Sequence, residues 1–312
     1  MKPAEAAEDI RIWILAGVIL AFAIGPMGEV TSGLLMAVLV VMMSLSMEGL
    51  TFSKKDTSAE SKGIVLSMVS CFVIGTGTAL AVGLFFAGQY PDIWKGWVML
   101  AAVPSAVSVV TAALYMKGDL KLSVLSTAAI YILALALTPL LTMLLIGDAV
   151  SPLQILKYVL LFVAVPMLMT FPLKKLHIGR RVKVVSINFL MFLMVVISVG
   201  LKRDFFFSEP TMVFWIVVAC AVRTFGVSIV MMYAMRRRGV RRDSAFVYMP
   251  MAVWKNSGLA TTLCILLLSG SPGAVLPCVI SMLVEVVWFA AMKDYFMRKW
   301  PADAENGGGV TS

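Results

Sequence analysis

Charge is scarce in this sequence. Asp, Glu, Lys and Arg make up 14% of the residues, against about a quarter in soluble domains, while 61% are hydrophobic. That balance excludes a water-soluble globule. Histidine occurs once, as His177 in a basic loop, so neither a histidine-based metal centre nor a histidine general base is expected at an apolar site. The four cysteines, Cys71, Cys220, Cys264 and Cys278, form no C-x-x-C pair and read as buried thiols rather than a disulfide framework. The glycine-rich "GTGTALAVG" at 75–83 is not followed by G-K-[ST]. It therefore reads as a surface for close helix approach, not a phosphate loop, and no nucleotide-driven step is expected. With no nucleophile or metal-ligand cluster, an enzyme is not expected either.

What the chain has in abundance is apolar length. Ten stretches can each carry a helix across roughly 30 Å of hydrocarbon at about 1.5 Å per residue. They lie near 10–27, 30–50, 63–88, 94–116, 121–146, 152–173, 184–201, 211–235, 245–269 and 273–296. The N-terminal "MKPAEAAEDIRIW" carries three acidic residues and no small-residue cleavage pattern follows the apolar run, which predicts a retained first helix.

A formal charge of +9 raises the question of nucleic acid, but its distribution answers otherwise. Twenty of the Lys and Arg residues fall at the N-terminus and in alternate loops, against Lys95, Lys157, Lys202 and Arg203 on the other side. The positive-inside rule then sets both termini in the cytoplasm of a multi-pass plasma-membrane protein, with the lipid bilayer and its anionic headgroups as partner. The two remaining cations, Arg223 and Lys255, lie inside apolar spans.

The expected fold class is all-α and polytopic, a single transmembrane domain over 1–312. Ten spans divide into two fives, and because five is odd the second five must run inverted, the plan of secondary transporters. Repeat one would cover about 8–147 and repeat two about 150–299, meeting at "GDAVSP". The fourth and ninth spans correspond, and both are interrupted: "WVMLAAVPSAVSVVTAALYMKGD" at Pro104 and its small neighbours, "VYMPMAVWKNSGLATTLCILL" at Pro250, Asn256, Ser257 and Gly258. Proline removes a backbone donor and glycine weakens a helix. Polar backbone freed inside hydrocarbon must be satisfied by protein, water or ligand, so paired interruptions point to a midplane binding site.

These residues resemble the bile acid:sodium symporter family of organic anion transporters. "KNSGLA" at 255–260 is similar to its signature Glu-x-x-x-Gln-Asn-Ser-Gly-Leu-Ala. "PSAVSVVTAALYMKGDLKLSVLST" at 104–127 and "SMEGLTFS" after the second span resemble further family patterns. The resemblance implies core helices at about 63–146 and 211–296, a panel made of the other four, and spans four and nine crossing at the centre. It also implies two sodium ions held there by oxygen ligands, as hard cations require.

Here the residues depart from the pattern. The family's glutamate falls on Met251, its glutamine on Lys255, its Ser-Asn pair on Val109 and Val110, and a third-span glutamine on Cys71; only Ser123 and Thr127, with Asn256 and Ser257 beside the site, keep oxygen ligands. No sodium site, other metal or cofactor is therefore expected. Two sodium ions and one glutamate carry a net +1, and so does one lysine, which makes Lys255 a tethered substitute for the dissociable ions. An ammonium near the midplane costs at least ~3 kcal/mol on insertion scales, which argues for a role.

The reading is a sodium-independent carrier of a small organic anion, either facilitative or coupled to a proton loaded and unloaded by Lys255 and Glu285. Pro104, Ser105, Ser108, Lys255, Asn256, Ser257 and Arg223 are its expected binding residues. A guanidinium suits capture of a carboxylate. Glu285 would neutralise Arg223 or Lys255 or relay a proton, unless the Arg223 and Glu285 charges merely tie two helices together. Sodium-coupled symport and a non-transporting receptor on the same scaffold are the alternatives.

Overall fold

The computed structural model describes residues 7–24, 32–48, 60–147, 151–200 and 203–301; "GDAVSP" in part, most of "SMEGLTFS" and Lys202 lie outside them. Among the described residues every regular element is helical. In chain order they are α1 (Ile10–Ile24), α2 (Ser32–Met47), α3 (Ser61–Ala87), α4 (Pro91–Ala102), α5 (Ser108–Tyr115), α6 (Leu120–Ile146) and α7 (Leu153–Lys175). There follow α8 (Arg180–Gly200), the short α9 (Arg203–Ser208), α10 (Pro210–Arg237), α11 (Arg242–Val253), α12 (Ser257–Leu267) and α13 (Val275–Lys299).

Among the described residues six helices are long and apolar enough to cross a membrane: α3, α6, α7, α8, α10 and α13 with its leading turn. Their outward faces expose large apolar side chains such as Phe85, Leu144, Phe171 and Val230. Such a belt suits lipid rather than water. The chain is a multi-pass membrane protein.

Local sequence sets the helix starts. Proline supplies the first turn of α4 and α10, where its missing N–H costs nothing. Asp119 Oδ1 accepts the Leu122 N–H at 2.9 Å and caps α6. Asn256 Oδ1 accepts the Leu259 N–H at 3.0 Å and caps α12. Each such cap stabilises a helix by about 1 kcal/mol.

Two packing groups follow. Helices α1 and α2 pack on α8, and α2 also on α7. Trp13 lies edge-on to Phe189 and Phe192 with centroids 6.0 Å away, and Lys183 pairs with Glu48. In the second group α4 packs against α3, α6, α12 and α13, while α11 lies between α3, α5 and α10. Here helices meet at glycine. A Cβ on Gly75 would stand 2.4 Å from the Ala252 carbonyl oxygen, so only glycine admits α11 that close to α3. The "GTGTALAVG" stretch thus serves as a packing surface, as its sequence implied.

Candidate functional site: the crossing of two broken helices

The two apolar stretches expected to be the fourth and ninth spans are each broken in two, α4 from α5 and α11 from α12, and the breaks cross. Between α4 and α5 the chain is non-helical around Pro104 and Ser105, and between α11 and α12 around Trp254 to Asn256. The Asn256 N–H donates to the Pro104 carbonyl at 2.8 Å and the Ala106 N–H to the Trp254 carbonyl at 2.9 Å, giving one antiparallel bridge, Ser105 to Lys255. Each break thereby satisfies part of the backbone that the other leaves open.

Lys255 is fully buried. Its ammonium donates to the carbonyls of Ala101 and Val103, both at 3.0 Å, to the Cys71 carbonyl at 3.1 Å and to Thr76 Oγ1 at 3.2 Å. The Phe72 ring centroid is 5.4 Å away. Two features of the neighbouring helices create this cage. Helix α4 ends at Ala102, leaving carbonyls without helical partners, and a helix C-terminus attracts positive charge. Helix α3 makes a π turn over Ser70–Gly75, which loosens the backbone ladder where Cys71 faces Lys255. The side chain does not reach for a membrane surface.

A second charged cluster lies on the other side of the break between α11 and α12. Arg223 sits on a π turn of α10, Val222–Gly226, and donates through Nη2 to Glu285 Oε1 at 2.5 Å and Ser281 Oγ at 2.7 Å. Glu285 Oε1 also accepts the backbone N–H of Lys255 at 3.2 Å, and Oε2 accepts the Ser257 hydroxyl at 2.8 Å. Both charged side chains are about 1% exposed. Of the two partners considered for Glu285, the ion pair is with Arg223; Lys255 meets it through its backbone. The carboxylate thus binds the first residues of α12 to α10 and α13.

The other expected residues divide. Pro104 supplies its carbonyl to the bridge, Ser105 is buried with its hydroxyl on Met251 Sδ at 3.2 Å, and Ser108 is half-buried at the start of α5. Asn256 Nδ2 donates to the Tyr131 hydroxyl at 2.8 Å and contacts Met43 Sδ at 3.3 Å, joining α12 to α6 and to α2. Among the positions carried over from sodium sites, Thr127 donates to the Ser123 carbonyl in its own helix. The Ser123 hydroxyl has no hydrogen-bond partner among the described residues, and Val109 is buried while Val110 is half-buried.

Sequence reasoning did not single out Thr76, Tyr131 or Ser281. A threonine and a tyrosine inside apolar runs were the available signals; backbone carbonyls carry none. Among the described residues no group of three or more His, Cys, Asp or Glu side chains could hold a metal ion.

A many-helix membrane bundle whose buried centre is two crossing, charged helix breaks belongs to the class of membrane transporters. The sequence model of the Sodium Bile acid symporter family matches residues 34–209, more than half of the chain. The protein belongs to that family, whose members are transporters, not enzymes. The matched segment contains the first break and stops before the second, so Lys255 and Glu285 rest on the geometry described above. No curated protein matches the chain.

Proposed function

We propose that the protein is a secondary transporter that moves an organic anion by alternating access and does so without sodium. The observation that carries this reading is the Lys255 ammonium inside four oxygen acceptors at the crossing: a tethered cation occupies the centre where mobile cations would otherwise be gathered. Arg223 and Glu285 extend the count. Two tethered cations and one carboxylate sum to +1, the same net charge as two sodium ions with one glutamate.

Further features support the alternating-access part. Helices α3 and α10, third in each proposed five-span repeat, both carry a π turn that ends at glycine, Gly75 and Gly226, as expected of inverted repeats. The α1, α2, α7 and α8 group forms the panel, and the elements around the crossing form the core. Rocking one against the other would expose Asn256 and Ser257 to alternate sides, with the helix N-termini of α5 and α12 favouring an anion. Both termini face the cytoplasm of the plasma membrane in this reading.

Uptake of a panel of organic anions into proteoliposomes, with sodium replaced by choline, tests it. Uptake is expected to continue undiminished; a strict sodium requirement overturns the proposal. Loss of pH dependence in Lys255→Gln would identify the proton-coupled form, and its absence in the parent protein the facilitative one.

A further inference from the structure

One side of the crossing continues into an aromatic track that the anion reading does not require. On α5 the residues Ser108, Thr111 and Tyr115 follow helical spacing along one face. Ser108 is half-buried, Thr111 exposed and Tyr115 52% exposed, because the main packing of α5 is against α6 and α11. On α13 the residues Glu285, Phe289 and Lys293 stand four apart on one face. The Phe289 ring lies 5.4 Å from Trp254 at the break and 6.3 Å from Tyr115, tilted by 44° and 54°. Lys293 Nζ lies 5.9 Å from the Tyr115 ring centroid. Three rings therefore run from the crossing to an ammonium near the end of α13.

We infer that the transported anion is a carboxylate, or a group of like charge, carried on a flat aromatic ring system, and that Trp254, Phe289 and Tyr115 form the wall against which its rings lie. This rests on the anion-transport reading and adds the class of substrate. The charges favour an anion over a cation: Glu285 is engaged by Arg223, and the exposed Asp294 is paired with Lys293 at 3.6 Å. Lys293, a third of its side chain exposed, can trade that exposed contact for a ligand carboxylate, since such surface pairs hold weakly. The rings favour an aromatic body over an alkyl chain of equal area. Tilted ring neighbours interact through their quadrupoles in addition to burying surface, and an alkyl chain has only the burial.

The test uses the full-length protein in lipid nanodiscs with two probes, 2-naphthoate and octanoate, binding being read as quenching of tryptophan fluorescence and as competition between the two. Naphthoate is expected to bind at least about tenfold tighter. Phe289→Leu, which keeps the apolar volume and so guards the fold, is expected to reduce that preference to about twofold, and Trp254→Phe to remove most of the quenching. Equal affinities, or a preference unchanged in Phe289→Leu, overturn the inference. In proteoliposomes, sodium-independent uptake of octanoate alongside equal affinities in nanodiscs would sink the aromatic track while leaving the transport reading standing; a sodium requirement for uptake of both probes would sink the latter instead.

Discussion

The side-chain nitrogen of Lys255 lies 3.0 Å from the carbonyl oxygen of Val103, a residue 152 positions earlier in the chain. One ammonium thus closes the end of α4 from the opposite break. Removing it leaves the Val103 carbonyl facing a dry gap, while Ala101 keeps the Thr76 hydroxyl and Cys71 the Thr76 N–H, and a buried acceptor left unmade costs about 1–3 kcal/mol. Lys255→Met, similar in length and without charge, is expected to lose about 2 kcal/mol or more. That is a fall of about 5 °C in thermal midpoint on the scale of soluble domains, to be measured by scanning fluorimetry in detergent. A midpoint equal to that of the parent protein would mean that the cage does not depend on its cation.

The Arg223 and Glu285 pair yields a different pattern, because one carboxylate does two jobs. Glu285→Ala strands a buried guanidinium, and breaking such a pair costs about 3–5 kcal/mol. Replacing both partners, Arg223→Met with Glu285→Leu, removes the stranded charge and is expected to recover most of that loss. Transport is not expected to recover with it, since neither replacement can accept the Lys255 N–H or the Ser257 hydroxyl. Thermal midpoint and uptake measured on the single and double variants separate the two roles. Uptake restored together with stability would reduce the pair to a helix tie.

Much of this was legible in the sequence, for physical reasons. Spans are readable because hydrocarbon thickness fixes their length. The breaks are readable because proline and small residues mark them, and the non-helical stretches do begin beside Pro104 and four residues after Pro250. Lys255 stood out because charge is costly in lipid. The cage did not, because three of its four acceptors are main-chain carbonyls, freed by a helix end and a π turn that no residue type encodes. The partner of Glu285 was equally out of reach: Arg223 is 62 residues away in the chain, and only the packing of α10 on α13 decides between it and Lys255.

The close contact between α3 and α11 gives the last prediction its control. Gly75 and Gly77 differ by two positions on α3, so they face different neighbours. An added methyl at Gly75 would meet the Ala252 carbonyl oxygen at 2.4 Å, whereas at Gly77 it would meet nothing within 4 Å. Gly75→Ala must push α11 outward, and α11 leads directly into the break that carries Lys255. Overpacking of this kind costs about 1–3 kcal/mol. A displaced break would also loosen the ammonium from the Cys71 carbonyl on the same π turn, so uptake is expected to fall along with stability. Gly77→Ala should leave uptake unchanged and gain up to about 1 kcal/mol from helix propensity. Thermal midpoints and proteoliposome uptake for the two variants decide the matter: matching behaviour would mean that α3 and α11 are not held at glycine distance, and that the cage around Lys255 is positioned by other contacts.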